Sequence, residues 1–250
     1  MSATPILQFG TSRFLQAHAD LFISQAMQDQ PDVGPITVVQ SSGNAERAKR
    51  LSALVGSYPV RIEGLLNGAR MQETVDVKSV ARTLSTAQDW DEVARVFVEE
   101  AQIVLSNTGD SGFAPQPSDT SDSYDQSMSY PAKLTHLLRL RFAQGARPIQ
   151  IMPMELIVDN GAVLKARVLE LAQADSDAFK AYLETDVIWA NSLVDRIVSQ
   201  PLEPAGAVAE PYALWAIEDQ PGLKLPCVHP SVQVVPALEK IEALKLFVLN

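Results

Sequence analysis

Lys245 is set among Leu244, Leu246, Phe247 and Leu249. A lysine in apolar surroundings has its ammonium disfavoured and its pKa lowered, which yields a proton shuttle for an alcohol–carbonyl pair without a metal. The same residue also fits the polar stripe of an amphipathic helix, its stem lying on apolar surface. Asp195-Arg196 interrupts the apolar run Leu193 to Val198, and burying two adjacent charges is costly unless each finds a partner. Asp195 is then either half of a structural ion pair or a carboxylate at the rim of a cleft outside the strand ends. His18, His136 and His229 are far apart and show no metal-ligand spacing, so a zinc-dependent mechanism has no support and each reads as a surface or structural histidine. The G-x-S-x-G elbow of the α/β-hydrolases is missing.

Gly10 follows the apolar segment Ile6 to Phe9 and precedes an apolar-periodic run from Arg13. That is where a dinucleotide-binding turn needs a residue without a side chain, with helix N–H groups aimed at a pyrophosphate. The motif is degenerate: Ser12 occupies the place of the second glycine, and Gln16 and Ala17 give no third. By itself the turn fits a nucleotide site or an ordinary strand-to-helix corner equally well. The next strand ends in Val39-Gln40-Ser41-Ser42, without an acid to accept from an adenosine ribose, and Arg47, Lys49 and Arg50 follow. This weakens the expected preference for NAD over NADP.

The elements that must position these groups alternate. Strands are expected at Ile6 to Gly10, Ile36 to Gln40, Gln102 to Leu105 and Pro148 to Met152, and helices at Arg13 to Met27, Thr86 to Glu100 and Pro131 to Phe142. The first two strands are close enough in sequence for a right-handed parallel crossover. Tyr58 to Leu66 and Ala69 to Lys78 flank Asn67-Gly68, a hairpin signal. Two further helical stretches lie in Gly161 to Ala190, with late strands at Leu193 to Val198, Pro211 to Glu218 and Ser231 to Val235, and the main sheet is expected to end near the Pro201 to Gly206 connector. Pro115 to Ser129, rich in Ser, Asp, Gln and Pro, reads as an exposed mobile loop with no catalytic group. The fold class is α/β: a doubly wound, mostly parallel, Rossmann-like sheet with an antiparallel hairpin insertion. Residues 1–236 form the dinucleotide-binding domain, and 237–250 the first helix of a helical C-terminal domain. That helix, Ala237 to Leu249, reaches the end of the chain without a stop signal, so the chain reads as an N-terminal fragment.

The 250 residues are 46% hydrophobic and 20% charged, enough for a sizeable core and unlike disordered or fibrous chains. Thirty acidic against twenty basic side chains leave a formal charge of −10, a field that repels phosphate backbones and anionic membranes and argues against nucleic acid as a partner. The single Cys227 rules out an internal disulfide framework and suits a reducing compartment. Neither a membrane span nor a signal peptide is indicated, so the cytoplasm is expected.

Several stretches together resemble the polyol-specific long-chain dehydrogenases, the mannitol dehydrogenase family, and most closely its tagaturonate reductase (altronate oxidoreductase) branch. They are Gln8 to Leu15, Leu105 to Gly112, Tyr130 to Thr135, Glu155-Leu156-Ile157, Asn160-Gly161, Ser192 to Val198 and Lys245 to Asn250, in family order along essentially the whole chain. The resemblance implies a metal-independent, nicotinamide-dependent reductase of a keto-sugar acid, or oxidase of the matching alcohol, using NAD with NADP left open. It implies Lys245 as general acid/base and Asn250, five residues on, as a donor to the reacting oxygen. An assisting histidine three residues further would fall beyond Asn250. Five residues span about 140° around an ideal helix, so the two side chains converge only if the lysine stem bends or the helix distorts. Expected cofactor contacts are Gly10, Ser12, Arg13, Phe14, Gln40, Asn107 and Thr108; Asp195 joins Lys245 and Asn250 as a catalytic candidate. Glu155-Leu156 stands where mannitol and fructuronate-type relatives carry Asp-Asn, which favours tagaturonate. A mannitol- or fructuronate-type reductase and a non-catalytic nucleotide-binding module remain the alternatives. Alone, the chain is expected to be inactive and to expose an apolar patch.

Overall fold

The computed structural model describes residues 3–66, 68–239 and 241. Strand β1 (Ile6–Phe9) is buried along its whole length and runs into α1 (Arg13–Gln16) and α2 (Ala19–Ala26). The single helix expected over Arg13 to Met27 is broken at His18, whose backbone leaves helical geometry (φ −126°, ψ −98°). At the break the His18 ring is buried, 4.8 Å from Phe14 and 4.6 Å from Phe22, and bonds the Leu214 carbonyl at 2.9 Å. β2 (Ile36–Gln40) pairs parallel with β1, Ile6 opposite Ile36. After the one-turn α3 (Ala45–Ala48) comes the hairpin of β3 (Tyr58–Leu66) and β4 (Ala69–Val77), antiparallel as expected, with Tyr58 opposite Val77.

Sequence reading gave no element to residues 79–85, yet β5 (Val80–Ser85) is the edge strand beside β2. The following helix, α4 (Trp90–Glu99), starts four residues later than expected. Thr86 N bonds the Gln40 carbonyl and Asp89 Oδ2 accepts from Ser85 N, so this stretch is a turn. β6 (Ile103–Ser106), α5 (Asp110–Phe113), α6 (Tyr130–Ala143) and β7 (Ile149–Pro153) continue the alternation. Ser129 caps α6 by accepting from Ala132 N, and Pro131 in the first turn needs no N–H partner. Then follow α7 (Asn160–Leu171), α8 (Asp177–Thr185) and β8 (Val187–Trp189). β8 hides in a stretch read as helix up to Ala190, and it, not the region near Gly206, closes the main sheet.

That sheet runs β5-β2-β1-β6-β7-β8, all parallel. In order of appearance this is 3-2-1-4-5-6, the doubly wound arrangement whose order reverses between β1 and β6. Alternation along β1 feeds two cores: Ile6 packs with Leu15, Phe22 and the hairpin side, while Leu7 and Phe9 pack with Val93, Phe97, Leu134 and Leu164. Each such large apolar side chain contributes about 1.5–3 kcal/mol by burial.

The late strands form two smaller sheets. β9 (Ser192–Asp195) and β10 (Val198–Pro201) replace the one strand expected over Leu193 to Val198. The chain divides at Arg196, whose guanidinium turns inward to the carbonyls of Ala17 and Glu210, while Ile197 N bonds Glu210 Oε1 at 2.7 Å. β11 (Ala207–Ala209) runs parallel to β3 and completes the sheet β10-β11-β3-β4. β12 (Leu214–Glu218), antiparallel to β9, and β13 (Val232–Val235) form the third sheet with it.

Residues 115–129, expected as an exposed mobile loop, are fastened down. Asp119 and Met128 are buried, Tyr124 stacks on Trp90 at 3.6 Å, and Asp119 accepts from Ser129 N and Oγ and from Arg167. The polar atoms of Asp119, Tyr124 and Gln126 bond inward, which composition does not reveal. Among the described residues no helix is long and apolar enough to cross a membrane.

Candidate dinucleotide cleft

Gly10 carries the chain out of β1 with φ +131°, and its N–H donates to the Val39 carbonyl at 3.0 Å. A Cβ here would stand 2.6 Å from the Asn107 carbonyl oxygen, while Asn107 N donates to Phe9 O at 2.9 Å. The ends of β1 and β6 thus approach so closely at the switch point that only glycine fits. Ser12, in the place of a second glycine, caps α1 by accepting from Leu15 N at 3.2 Å, and its hydroxyl lies 3.5 Å from Asn107 Oδ1. Since α1 is a single turn, its dipole is small. Among the described residues, the cationic groups lining the cleft are the side chains of Arg13 and Arg50. Arg13 binds the 203–206 loop through Glu203 (2.9 Å), Pro204 O and Gly206 O, and Arg50 lies 3.6 Å from the same Glu203 carboxylate. These exposed pairs contribute little stability, and their charge remains available to an anionic ligand.

The cleft measures about 400 Å³. Of the expected cofactor contacts, Gly10, Ser12, Arg13, Gln40, Asn107 and Thr108 line it. Phe14 does not; its ring stacks on His18 and packs against the core. Asp195 is half-buried at the end of β9, opposite Leu214, and is not among the lining residues. Its neighbour Arg196 is buried and its guanidinium is held down to about 10 by desolvation, against a pull upward from Glu210. Lys245 and Asn250 lie outside the described residues, as does the expected helix beyond Ile241. His18 and His229 both pack on the Phe22 ring, at 4.6 and 4.4 Å, but among the described residues no group of three or more His, Cys, Asp or Glu side chains could hold a metal ion. His18 is held down to about 3 by burial, and His229 stacks on Phe22 and bonds Gln25.

A polar network beneath the cleft was visible beforehand only as motif letters. Glu155 is 3% exposed; its Oε2 accepts from Ser106 Oγ at 3.0 Å and its Oε1 from Thr108 N at 3.0 Å. Burial pushes the carboxyl up, and these hydrogen bonds pull it back. Asn107 Nδ2 donates to Met154 O, and Asn160 donates to the carbonyls of Glu155 and Ser192 while accepting from Ser192 N. At Gly161 a Cβ would stand 2.6 Å from the Ala190 carbonyl, so α7 closes directly onto the segment after β8. Glu155, Asn160, Gly161 and Ser192 are therefore one unit, which stitches β6, β7 and β9 behind Asn107 and Thr108.

A six-stranded parallel sheet wound in this order, with a glycine turn opening onto a cleft across its switch point, defines a Rossmann-type dinucleotide-binding domain. The chain belongs to the mannitol dehydrogenase family, whose Rossmann domain matches residues 4–226. It is 28% identical to an altronate oxidoreductase of Bacillus subtilis over 98% of this chain and 56% of that protein. It is 33% identical to one of Shigella sonnei over 78% of this chain and 42% of that protein. The chain thus spans about half the length of the curated relatives it matches. The fold is shared with a D-sorbitol dehydrogenase (TM-score 0.82, 20% identity, 98% of this chain and 56% of that one). It is shared equally with Pseudomonas fluorescens mannitol 2-dehydrogenase, solved with NAD and D-mannitol (TM-score 0.82, 18% identity, 98% and 55%).

Proposed function

We propose that this chain is the cofactor-binding part of a nicotinamide-dependent oxidoreductase that interconverts a keto-sugar acid and its alcohol, of the tagaturonate/altronate type. The cleft that Gly10, Ser12, Arg13, Asn107 and Thr108 line where the strand order reverses between β1 and β6 carries the cofactor reading, because a dinucleotide lies across such a switch point. Gly10, Ser12 and Arg13 would hold the phosphates, Ser41 and Ser42 the adenosine side, and Asn107 and Thr108 the nicotinamide side. Bound there, the nicotinamide supplies or accepts a hydride. The altronate oxidoreductase relatives, together with Glu155-Leu156, support a sugar-acid substrate.

Lys245 is the proposed proton donor to the carbonyl oxygen on which negative charge builds, a role typically worth about 10²- to 10⁴-fold. Asn250 adds a second donor to the same oxygen, and Asp195 is the proposed carboxylate at the edge of the reacting region. No step in this scheme needs a metal. A cytoplasmic setting fits the free, buried Cys227. The test is a substrate panel on a protein of the full length of the relatives: tagaturonate should drive NADH oxidation faster than fructuronate or fructose. Preference for fructose would assign the chain to the mannitol type, and cofactor binding without turnover of any sugar would make it a binding module.

A further inference from the structure

Three donors from three separate elements converge on one carbonyl at the carboxyl end of β2. Ser41 O accepts from Lys133 Nζ of α6 at 2.9 Å, from Gln126 Nε2 of the 115–129 segment at 3.0 Å and from Thr86 Oγ1 after β5 at 3.1 Å. Gln126 is itself gripped, its Oε1 accepting from the Tyr124 hydroxyl at 2.6 Å. Lys133 is only 3% exposed, a placement that costs free energy unless the ammonium is hydrogen-bonded. Burial lowers it to about 8, while the charges of Asp125 and Asp119 act in the other direction. So much polar machinery fixing a single surface carbonyl calls for a reason in what that surface does.

Gln40 ends β2, where many dinucleotide folds place an acid that reads the ribose. Here its amide is spent internally. Nε2 donates to Ser42 Oγ at 2.9 Å and to Asn44 O at 3.1 Å, and Oε1 accepts from Ser85 Oγ at 3.0 Å. Because Ser42 Oγ accepts from Gln40, its own proton is free to be donated elsewhere, and Ser42 is exposed along the cleft beside Ser41.

Resting on the dinucleotide reading, we infer that Lys133 is a positioning residue: by fixing the Ser41 carbonyl it sets a Ser41–Ser42 shelf, from which the Ser42 hydroxyl, in place of Gln40, meets the adenosine ribose. Calorimetric titration of the chain with ADP-ribose and with reduced nicotinamide mononucleotide separates the two ends of the cleft. Lys133→Met should weaken ADP-ribose by about tenfold and leave the mononucleotide unchanged, and Ser42→Ala should weaken ADP-ribose by about three- to tenfold. Equal weakening of both ligands by Lys133→Met, with a lowered melting temperature, would mark a purely structural lysine and overturn the proposal. So would wild-type ADP-ribose affinity in either variant. If Lys133→Met does not fold, Ser42→Ala decides, since that side chain is exposed. A parent chain that binds neither ADP-ribose nor NADH would refute the dinucleotide reading itself, an outcome distinct from a parent that binds and variants that bind as well.

Discussion

Tyr58, at the start of the hairpin, donates its hydroxyl proton to Asp20 Oδ2 of α2 at 2.7 Å inside the core. Burial pushes the Asp20 carboxyl up to about 7, with Tyr58 and Gln8 pulling it down. Gln8 Oε1 and Asp20 Oδ1 are both buried without a hydrogen-bond partner among the described residues. A carboxyl raised in the folded state stabilises the fold fully below its unfolded value near 4, and that contribution disappears as pH climbs through about 7. Asp20→Asn, which keeps an acceptor for Tyr58, should be more stable than the parent at pH 8 by on the order of 2–4 kcal/mol. Urea unfolding at pH 5 and pH 8 measures it.

His18 acts with the opposite sign. Held neutral down to about 3, it stabilises the fold above its unfolded value near 6.5, and the contribution is lost as pH falls from there towards 3. Between about pH 4 and 6.5 the Asp20 and His18 slopes oppose each other, so this pair leaves the parent's stability nearly level. In Asp20→Asn only the His18 slope remains of the two, and stability should fall steadily over the same interval. A variant whose profile stays parallel to the parent's would refute this assignment.

Gly10→Ala forces a side chain into the Asn107 carbonyl at a φ that favours glycine. A stability loss of about 1–3 kcal/mol is expected, together with loss of detectable NADH binding in a fluorescence titration. Undiminished affinity would remove the pyrophosphate from this turn.

Glu155→Leu leaves Ser106 Oγ and Thr108 N without their acceptor in the interior, costing about 2–4 kcal/mol. Glu155→Gln keeps one carbonyl oxygen for Thr108, and the Ser106 hydroxyl can turn to accept from the new amide, so most of that loss should be spared. Thermal unfolding of the two variants side by side tests the difference.

Lys245→Ala, made in a protein of the relatives' full length, should lower kcat by at least about 10²- to 10⁴-fold while the NADH dissociation constant stays within about twofold. Unchanged turnover would take Lys245 out of the chemistry.

Most of the main sheet was legible in the letters because its strands are buried on both faces and read as apolar runs. β1 and β2 were found within a residue. β5 was missed because Arg82 and Thr83 break up its apolar run, and β8 because three residues carry no period of their own beside a helix. At the site, the Gly10 turn was readable from its place between strand and helix. Gln40 had the right position but an internal role, and Phe14 turned to the core; both outcomes depend on partners tens of residues away. Lys133 was legible only as one letter of the Tyr130 to Thr135 motif, since nothing in its own helix shows that its stem crosses to Ser41.

β3 takes its second neighbour from far along the chain: Val60 lies beside Ala207. During synthesis the hairpin therefore leaves the ribosome with one edge bare, and a bare edge of this kind invites pairing with other chains. The sheet can close only once Ala207–Ala209 has been delivered. Shortening the chain before that point would strand a sticky half-sheet, which sets a lower limit on how small this domain can be cut.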